Sequence, residues 1–382
     1  MKRFILILFA CNVMYTQNYY VYVASESDDT VSLLKFDKNE IEEVDRITVG
    51  TFPTEIEGPH GITVDPSGDY WYLSLAHGNP FGKLVKYSTK TNEIVDETIL
   101  GLFPATMQIS TVTGFLYCVN FNLHGDMKPS TVSVVDPETM TEILKIQTGS
   151  MPHGSRISSD GLYQYSVAMM SGELFEIDAL SLKVSRVLDL ENMMNDHKQM
   201  GHDKMNHGNM NHDMKKDNKI MDKKENKMMS MQGMKHSMVK PTWVIPHPTL
   251  NLAYIAGNGS DEVIEVDLDN WKVSDRFKTG KGPYNLEISP DGKLLVGTIK
   301  SEGKTAIWDL KDKKLLGLIK NTTSVSHGIA ISPDSQYAFI SVEGIGGEPG
   351  KVDVVSLQNY ELIDSVEVGK QAGGIAFWKK EI

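Results

Sequence analysis

Residues 58–76 read GPHGITVDPSGDYWYLSLA and residues 83–101 read KLVKYSTKTNEIVDETILG. Together they hold four short alternating apolar stretches split by Ser-Gly and Asn turns, the pattern of four strands. The same unit returns at residues 151–169 (MPHGSRISSDGLYQYSVAM) with 173–190 (ELFEIDALSLKVSRVLDL). It returns again at 282–300 (GPYNLEISPDGKLLVGTIK) with 305–319 (TAIWDLKDKKLLGLI), and at 325–343 (VSHGIAISPDSQYAFISVE) with 351–369 (KVDVVSLQNYELIDSVEVG). Weaker copies start near Phe103 and Lys240.

The residue after the opening proline, or its equivalent, is His60, Ala105, His153, Thr242, Tyr284, His327 and Gly373 in turn. The steps are 45, 48, 89, 42, 43 and 46 residues, and setting aside a 48-residue tract at Asn192–Val239 turns 89 into 41. A period in the low to mid forties with four strands per unit marks a β-propeller. The first unit, residues 19–50, lacks an opening strand, and residues 371–382 (QAGGIAFWKKEI) form an opening strand with nothing after it. Joined, they make one blade. The expected fold is therefore all-β: a seven-bladed β-propeller over residues 19–382, with four-stranded blades and a ring closed by the C-terminal strand on the N-terminal blade. Closure removes exposed sheet edges.

The turn motifs ISPDG (Ile288–Gly292), ISPDS (Ile331–Ser335) and VDPSG (Val64–Gly68), with the third-strand endings VVDPET (Val134–Thr139), EVDLDN (Glu265–Asn270) and IWDLKD (Ile307–Asp312), resemble the YVTN, or YncE-like, family of seven-bladed propellers. The resemblance covers roughly Tyr19 to Trp378 outside the tract. It implies the fold and leaves function open, because propellers host binding proteins, enzymes and scaffolds alike.

The tract holds twelve of the twenty methionines and five of the eleven histidines. Met200/His202, Met205/His207 and Met210/His212 recur every five residues, with His197 in step and Met214 following. Thioether sulfur and imidazole nitrogen are the ligands that favour copper(I) or silver(I) over magnesium or calcium. Without apolar periodicity the tract cannot build a core and is expected to be a disordered insertion between blades four and five.

In a propeller the connections that enter the innermost strands share one face with those joining the second and third strands. His60, His153 and His327 belong to the first kind, and His77 and His124 to the second. All five, with the tract, are expected around one mouth of the channel, and His247 on the opposite face. Three imidazoles spread around the ring can hold one ion with positions left open. This is similar in part to the propeller domain of nitrous oxide reductase, whose copper cluster is held by histidines at one channel end. The chain has no His-His pair and no room for that family's cupredoxin domain, so reductase chemistry is not expected.

The plainer reading of each His-Gly pair is a backbone requirement, with the imidazole bonded to a neighbouring loop. Cys118, in FLYCVNF, reads as a buried strand residue. Zinc or nickel bound by the histidines alone is the main chemical rival to copper, and a haem could take an axial histidine from the same mouth. Two enzyme readings stand as alternatives: a metal-dependent oxidoreductase on the same mouth, and a lyase or lactonase using a mouth histidine with a carboxylate such as Glu343. A non-metal interaction or ligand-binding scaffold is a further alternative.

The formal charge of −12 argues against a nucleic-acid partner. No apolar run approaches the roughly 18 residues of a membrane span. Residues 1–18 begin MKRFILILFAC, a basic start and a short apolar run of export-signal type, and Leu8–Cys11 resembles a lipobox with Cys11 as a lipid anchor. The expectation is an exported, monomeric protein, periplasmic or a cell-surface lipoprotein, that binds a metal ion, with an extracytoplasmic protein as a further partner. Because a ligating histidine must be neutral, metal is expected to be released below about pH 6.5.

Overall fold

The computed structural model describes residues 17–50, 54–77, 81–123, 125, 127–191 and 236–381. These form 28 strands, from β1 (Asn18–Ser25) to β28 (Ala372–Glu381), in seven antiparallel four-stranded sheets. Blade one has the order β28-β1-β2-β3, so the last strand closes the ring on the first three, as the two incomplete units require. Closure is reinforced from both sides. Tyr19 donates its hydroxyl to Asp334 of blade seven at 2.8 Å, and the Trp378 indole N–H donates to the Gly68 carbonyl of blade two at 3.0 Å. Between blades one and two, Tyr22 stacks on Trp71, and Trp71 on Tyr87 with ring centres 3.9 Å apart.

The channel is lined by the innermost strands β4 (Pro59–Val64), β8 (Pro104–Ile109), β12 (Pro152–Ile157), β16 (Pro241–Pro246), β20 (Pro283–Ile288), β24 (Ser326–Ile331) and β28. The seven register residues found from the repeats are the second residue of each strand. In blades two to seven the pairing register breaks within the first four residues of the inner strand. Such a bulge re-aims side chains that strict alternation would turn away.

Hydroxyls then lock these strand starts across blade boundaries. The Gly61 N–H donates to Ser74 Oγ at 2.7 Å, and Ser74 donates on to the Ala105 carbonyl of the next blade at 3.2 Å. Thr298 does the same between the Asn285 N–H and the His327 carbonyl at 3.0 and 2.9 Å, and Ser341 between Gly328 and Gly373. Thr106 and Thr242 donate to the carbonyls of His153 and Tyr284. Small hydroxyl side chains thus pin the backbone of the ring across its blade boundaries.

The glycine of two His-Gly pairs has a packing cause. A Cβ on Gly61 would lie 1.8 Å from the Ala105 carbonyl oxygen, and one on Gly154 would lie 2.4 Å from Trp243 Cα. This gives physical content to the backbone reading of the motif, and leaves the histidine beside each glycine to be explained by its own contacts.

Candidate functional site

Blades two, four and seven bring His60, His153 and His327 together. The His60 ring centre is 6.4 Å from that of His153 and 6.0 Å from that of His327. Tyr284, the register residue of blade six, stands between the other two, 5.2 Å from the His153 ring and 4.7 Å from the His327 ring. All three histidines are buried.

Each imidazole has different partners. His153 Nδ1 lies 2.8 Å from the Thr242 carbonyl, to which it donates, so Nε2 is the acceptor for the Tyr284 hydroxyl at 2.8 Å. Burial, with the nearby His60, pushes the His153 pKa down to about 3. His60 Nδ1 faces Glu26 Oε2 at 2.9 Å, and His77 Nε2 faces the other oxygen of Glu26 at 2.8 Å. Burial opposes the charge on Glu26, but the hydrogen bonds from His60 and His77 outweigh it and hold the carboxyl well below its usual range. The same bond raises the His77 pKa against the opposing effect of burial.

His327 Nδ1 is buried without a hydrogen-bond partner, while Nε2 lies 3.6 Å from Glu343 Oε1. Burial and the Lys300 ammonium hold His327 neutral far below the usual histidine range. Lys300 sits 4.0 Å above the Tyr284 ring centre and bonds Glu343 Oε1 at 2.8 Å. Glu343, the carboxylate considered for acid–base work, is therefore committed to a lysine. Burial keeps His153 and His327 neutral through the range near pH 6.5 in which a free histidine takes up its proton.

Among the described residues, no group of three or more His, Cys, Asp or Glu is arranged to hold a metal ion as the side chains stand. Two imidazoles sharing one ion at about 2.0–2.1 Å from each nitrogen have ring centres roughly 5–6 Å apart. Separations of 6.0 and 6.4 Å are close to that, but the Tyr284 hydroxyl occupies His153 Nε2. The three imidazoles are gathered and not converged.

His77 joins the mouth through Glu26, whereas His247 lies apart, donating from Nε2 to the Gly292 carbonyl at 3.0 Å and accepting the Thr249 and Leu250 N–H groups at Nδ1. Cys118 is buried in β9 (Leu116–Asn120), and burial raises its thiol pKa. His124, Cys11, His197, Met200, His202, Met205, His207, Met210, His212 and Met214 lie outside the described residues.

The neck of the tract is within them. Glu191 Oε1 accepts hydrogen bonds from Ser237 Oγ at 2.7 Å, Met238 N at 2.8 Å and Val239 N at 3.0 Å. The Ser237 N–H donates to the Met170 carbonyl, and Val239 is fully buried. Ser237 to Val239 thus belong to the propeller body, and the tract proper ends before them. The neck shares a face with the mouth: Met169 bonds Met151, two residues before His153, and Met170 bonds Ser237.

Glu26, Tyr284 and Lys300 complete the mouth and were not assigned from sequence. Glu26 and Lys300 lie in connections between second and third strands, the class that also carries His77, and this placement was the one available signal.

No family model matches the chain. It is 25% identical over 232 residues to proteins of Salmonella typhi and Salmonella typhimurium described as uncharacterized protein YncE, a match covering 59% of this chain and 61% of each relative. Among solved structures, the periplasmic gluconolactonase PpgL of Pseudomonas aeruginosa superposes with a TM-score of 0.69 at 13% identity, over 95% of this chain and 99% of that one. A chain of Kuenenia stuttgartiensis hydrazine synthase superposes with a TM-score of 0.58 at 18% identity, over 82% and 80%. At these identities the two structures speak for the fold alone. The seven closed blades and the Salmonella relatives together support placing the chain in the YncE-like family of β-propellers.

Proposed function

We propose that the protein captures a soft monovalent metal ion, copper(I) or silver(I), through its Met/His arm, and passes it to the histidine mouth beneath. One observation carries the reading. Three imidazoles occupy the same position on their blades, with ring centres 6.0 and 6.4 Å from the central one, and burial holds two of them neutral. A metal needs neutral imidazole, which most sites obtain only near neutral pH.

The outer contacts support the same reading. A ligating histidine commonly donates its second ring nitrogen to a carbonyl or carboxylate, which fixes the ring. His153 meets Thr242 and His60 meets Glu26 in that way. Metal binding requires the Tyr284 hydroxyl to leave His153 Nε2, so the mouth would open as it loads. Export follows from the same reading, since methionine keeps a soft ligand available where cysteine would oxidise.

Titration of the full chain with silver(I), copper(I) and zinc(II), beside a protein lacking residues 192–235, tests the arm. The full chain is expected to bind several monovalent ions in preference to zinc, and the shortened protein to lose most of that capacity. Equal uptake by the two proteins would contradict a role for the arm. An absence of tight binding by both would leave a ligand-binding scaffold as the function.

A further inference from the structure

At the end of the channel opposite the histidines lies a chamber of about 350 Å³. That is the low end of the range for small-molecule sites, roughly 300–1,000 Å³. Its lining is mixed: Ile62, Ile288, Ile331 and Phe377 supply apolar walls, Pro248 and Pro290 also line it, and Thr63, Gln108 and Ser159 add polar ones. Two charges break this lining. Arg156 and Glu287 are each the fifth residue of their inner strands, two blades apart, where the equivalent positions carry Gln108 and Ile245.

The two charges face each other as an ion pair without a direct hydrogen bond. Arg156 Nη2 and Glu287 Oε2 are 3.7 Å apart, beyond hydrogen-bond range. Arg156 uses Nη1 on the Ser155 carbonyl at 2.9 Å, and its guanidinium lies 4.4 Å from the Trp243 ring centre, which fixes the plane of the fork. Burial disfavours both charges, lowering the Arg156 pKa and raising that of Glu287. Both side chains nonetheless keep part of their surface open, 17% for Arg156 and 22% for Glu287, so a ligand in the chamber can reach them.

We propose that the chamber is a binding site for a small zwitterion with an apolar side chain, its carboxylate on the Arg156 fork and its ammonium on Glu287. A planar carboxylate matches guanidinium geometry in two parallel bonds. An ammonium restores charge balance at Glu287, and the isoleucines and Phe377 receive the side chain. A ligand of single charge satisfies one partner and leaves the other stranded. The site lies toward the other end of the channel from the histidine mouth, and Arg156 also lines the narrow cavity between the two.

Ligand-observed NMR and thermal-shift titrations of the full chain test this with three probes of similar shape: L-leucine, 4-methylpentanoate and 3-methylbutan-1-amine. Leucine is expected to saturate a single site at least tenfold more tightly than either singly charged probe. Arg156→Met should weaken leucine at least tenfold. Glu287→Gln should weaken leucine but strengthen 4-methylpentanoate, a change of preference that unfolding could not produce. Loss of the histidine ring or of the arm should leave leucine binding unchanged. The proposal is overturned if folded wild-type protein shows no saturable leucine binding. It is equally overturned if 4-methylpentanoate binds as tightly as leucine, or if neither substitution changes the order of the probes.

Discussion

The hydroxyl of Tyr284 caps Nε2 of His153 at 2.8 Å, from two blades away across the channel mouth. The opposite ring nitrogen is already committed to the Thr242 carbonyl, so Tyr284 closes the one lone pair through which His153 could ligate. Tyr284→Phe removes the cap. A hydrogen bond between neutral groups contributes about 1 kcal/mol, close to fivefold in an equilibrium constant. Copper(I) affinity at the mouth is therefore expected to rise about fivefold in a chelator competition, with arm capacity unchanged. Unaltered affinity would show that Tyr284 does not gate the site.

Acid stability follows from the buried imidazoles. His153 and His327 have folded pKa values below the roughly 6.5 of an unfolded chain. The unfolded state therefore binds protons that the folded state refuses, and their contribution falls as pH drops below about 6.5, continuing toward about 3 for His153. The slope approaches about 1.4 kcal/mol per pH unit for each histidine. His77 and Glu26 act differently. The raised pKa of His77 adds stability below about 6.5 that is lost as pH rises through its folded value, and Glu26 adds stability above about 4.3 that is lost as pH falls. Urea denaturation at pH 4.5, 5.5 and 6.5 should show a shallower pH dependence for His153→Gln than for wild type. Equal slopes would mean that His153 titrates normally.

The neck of the arm is part of the propeller body. Glu191 Oε1 satisfies three donors from Ser237, Met238 and Val239. Deleting residues 192–235 and bridging the gap with a short Gly-Ser linker should leave the melting temperature within a few degrees of wild type. Glu191→Ala removes the acceptor of the part-buried Ser237 hydroxyl and Val239 N–H and is expected to cost about 1 kcal/mol in either background. Calorimetry decides both points.

The hydroxyl locks between blades predict a different loss. Thr298 serves the Asn285 N–H and the His327 carbonyl together. Thr298→Val keeps the shape and removes both bonds, so a loss of about 1–3 kcal/mol is expected. Faster amide exchange at Asn285 than in wild type should accompany it.

Much of this architecture was legible because a propeller repeats. The spacing from His60 to Gly373 fixed which residue of each blade starts the inner strand, and the same register placed His60, His153 and His327 in one ring. What the repeat could not carry was anything peculiar to one blade. Glu26 meets His60 because a turn of blade one packs against the start of the inner strand of blade two. The bulge that turns the second residue of each strand inward breaks strict alternation, so the order of the channel layers was not readable from period two. The protonation of His153 and His327 is not legible in the sequence for a similar reason: it depends on burial, which requires the blades to pack around them.

The central claim is that the three channel histidines form a metal site apart from the arm. The most direct measurement is the copper retained after exhaustive dialysis by protein lacking residues 192–235, with and without His60→Ala/His153→Ala/His327→Ala. One copper per chain is predicted in the first protein and none in the second, with both giving the same β-sheet circular dichroism. Absence of copper from the first, or equal copper in the two, would contradict the account.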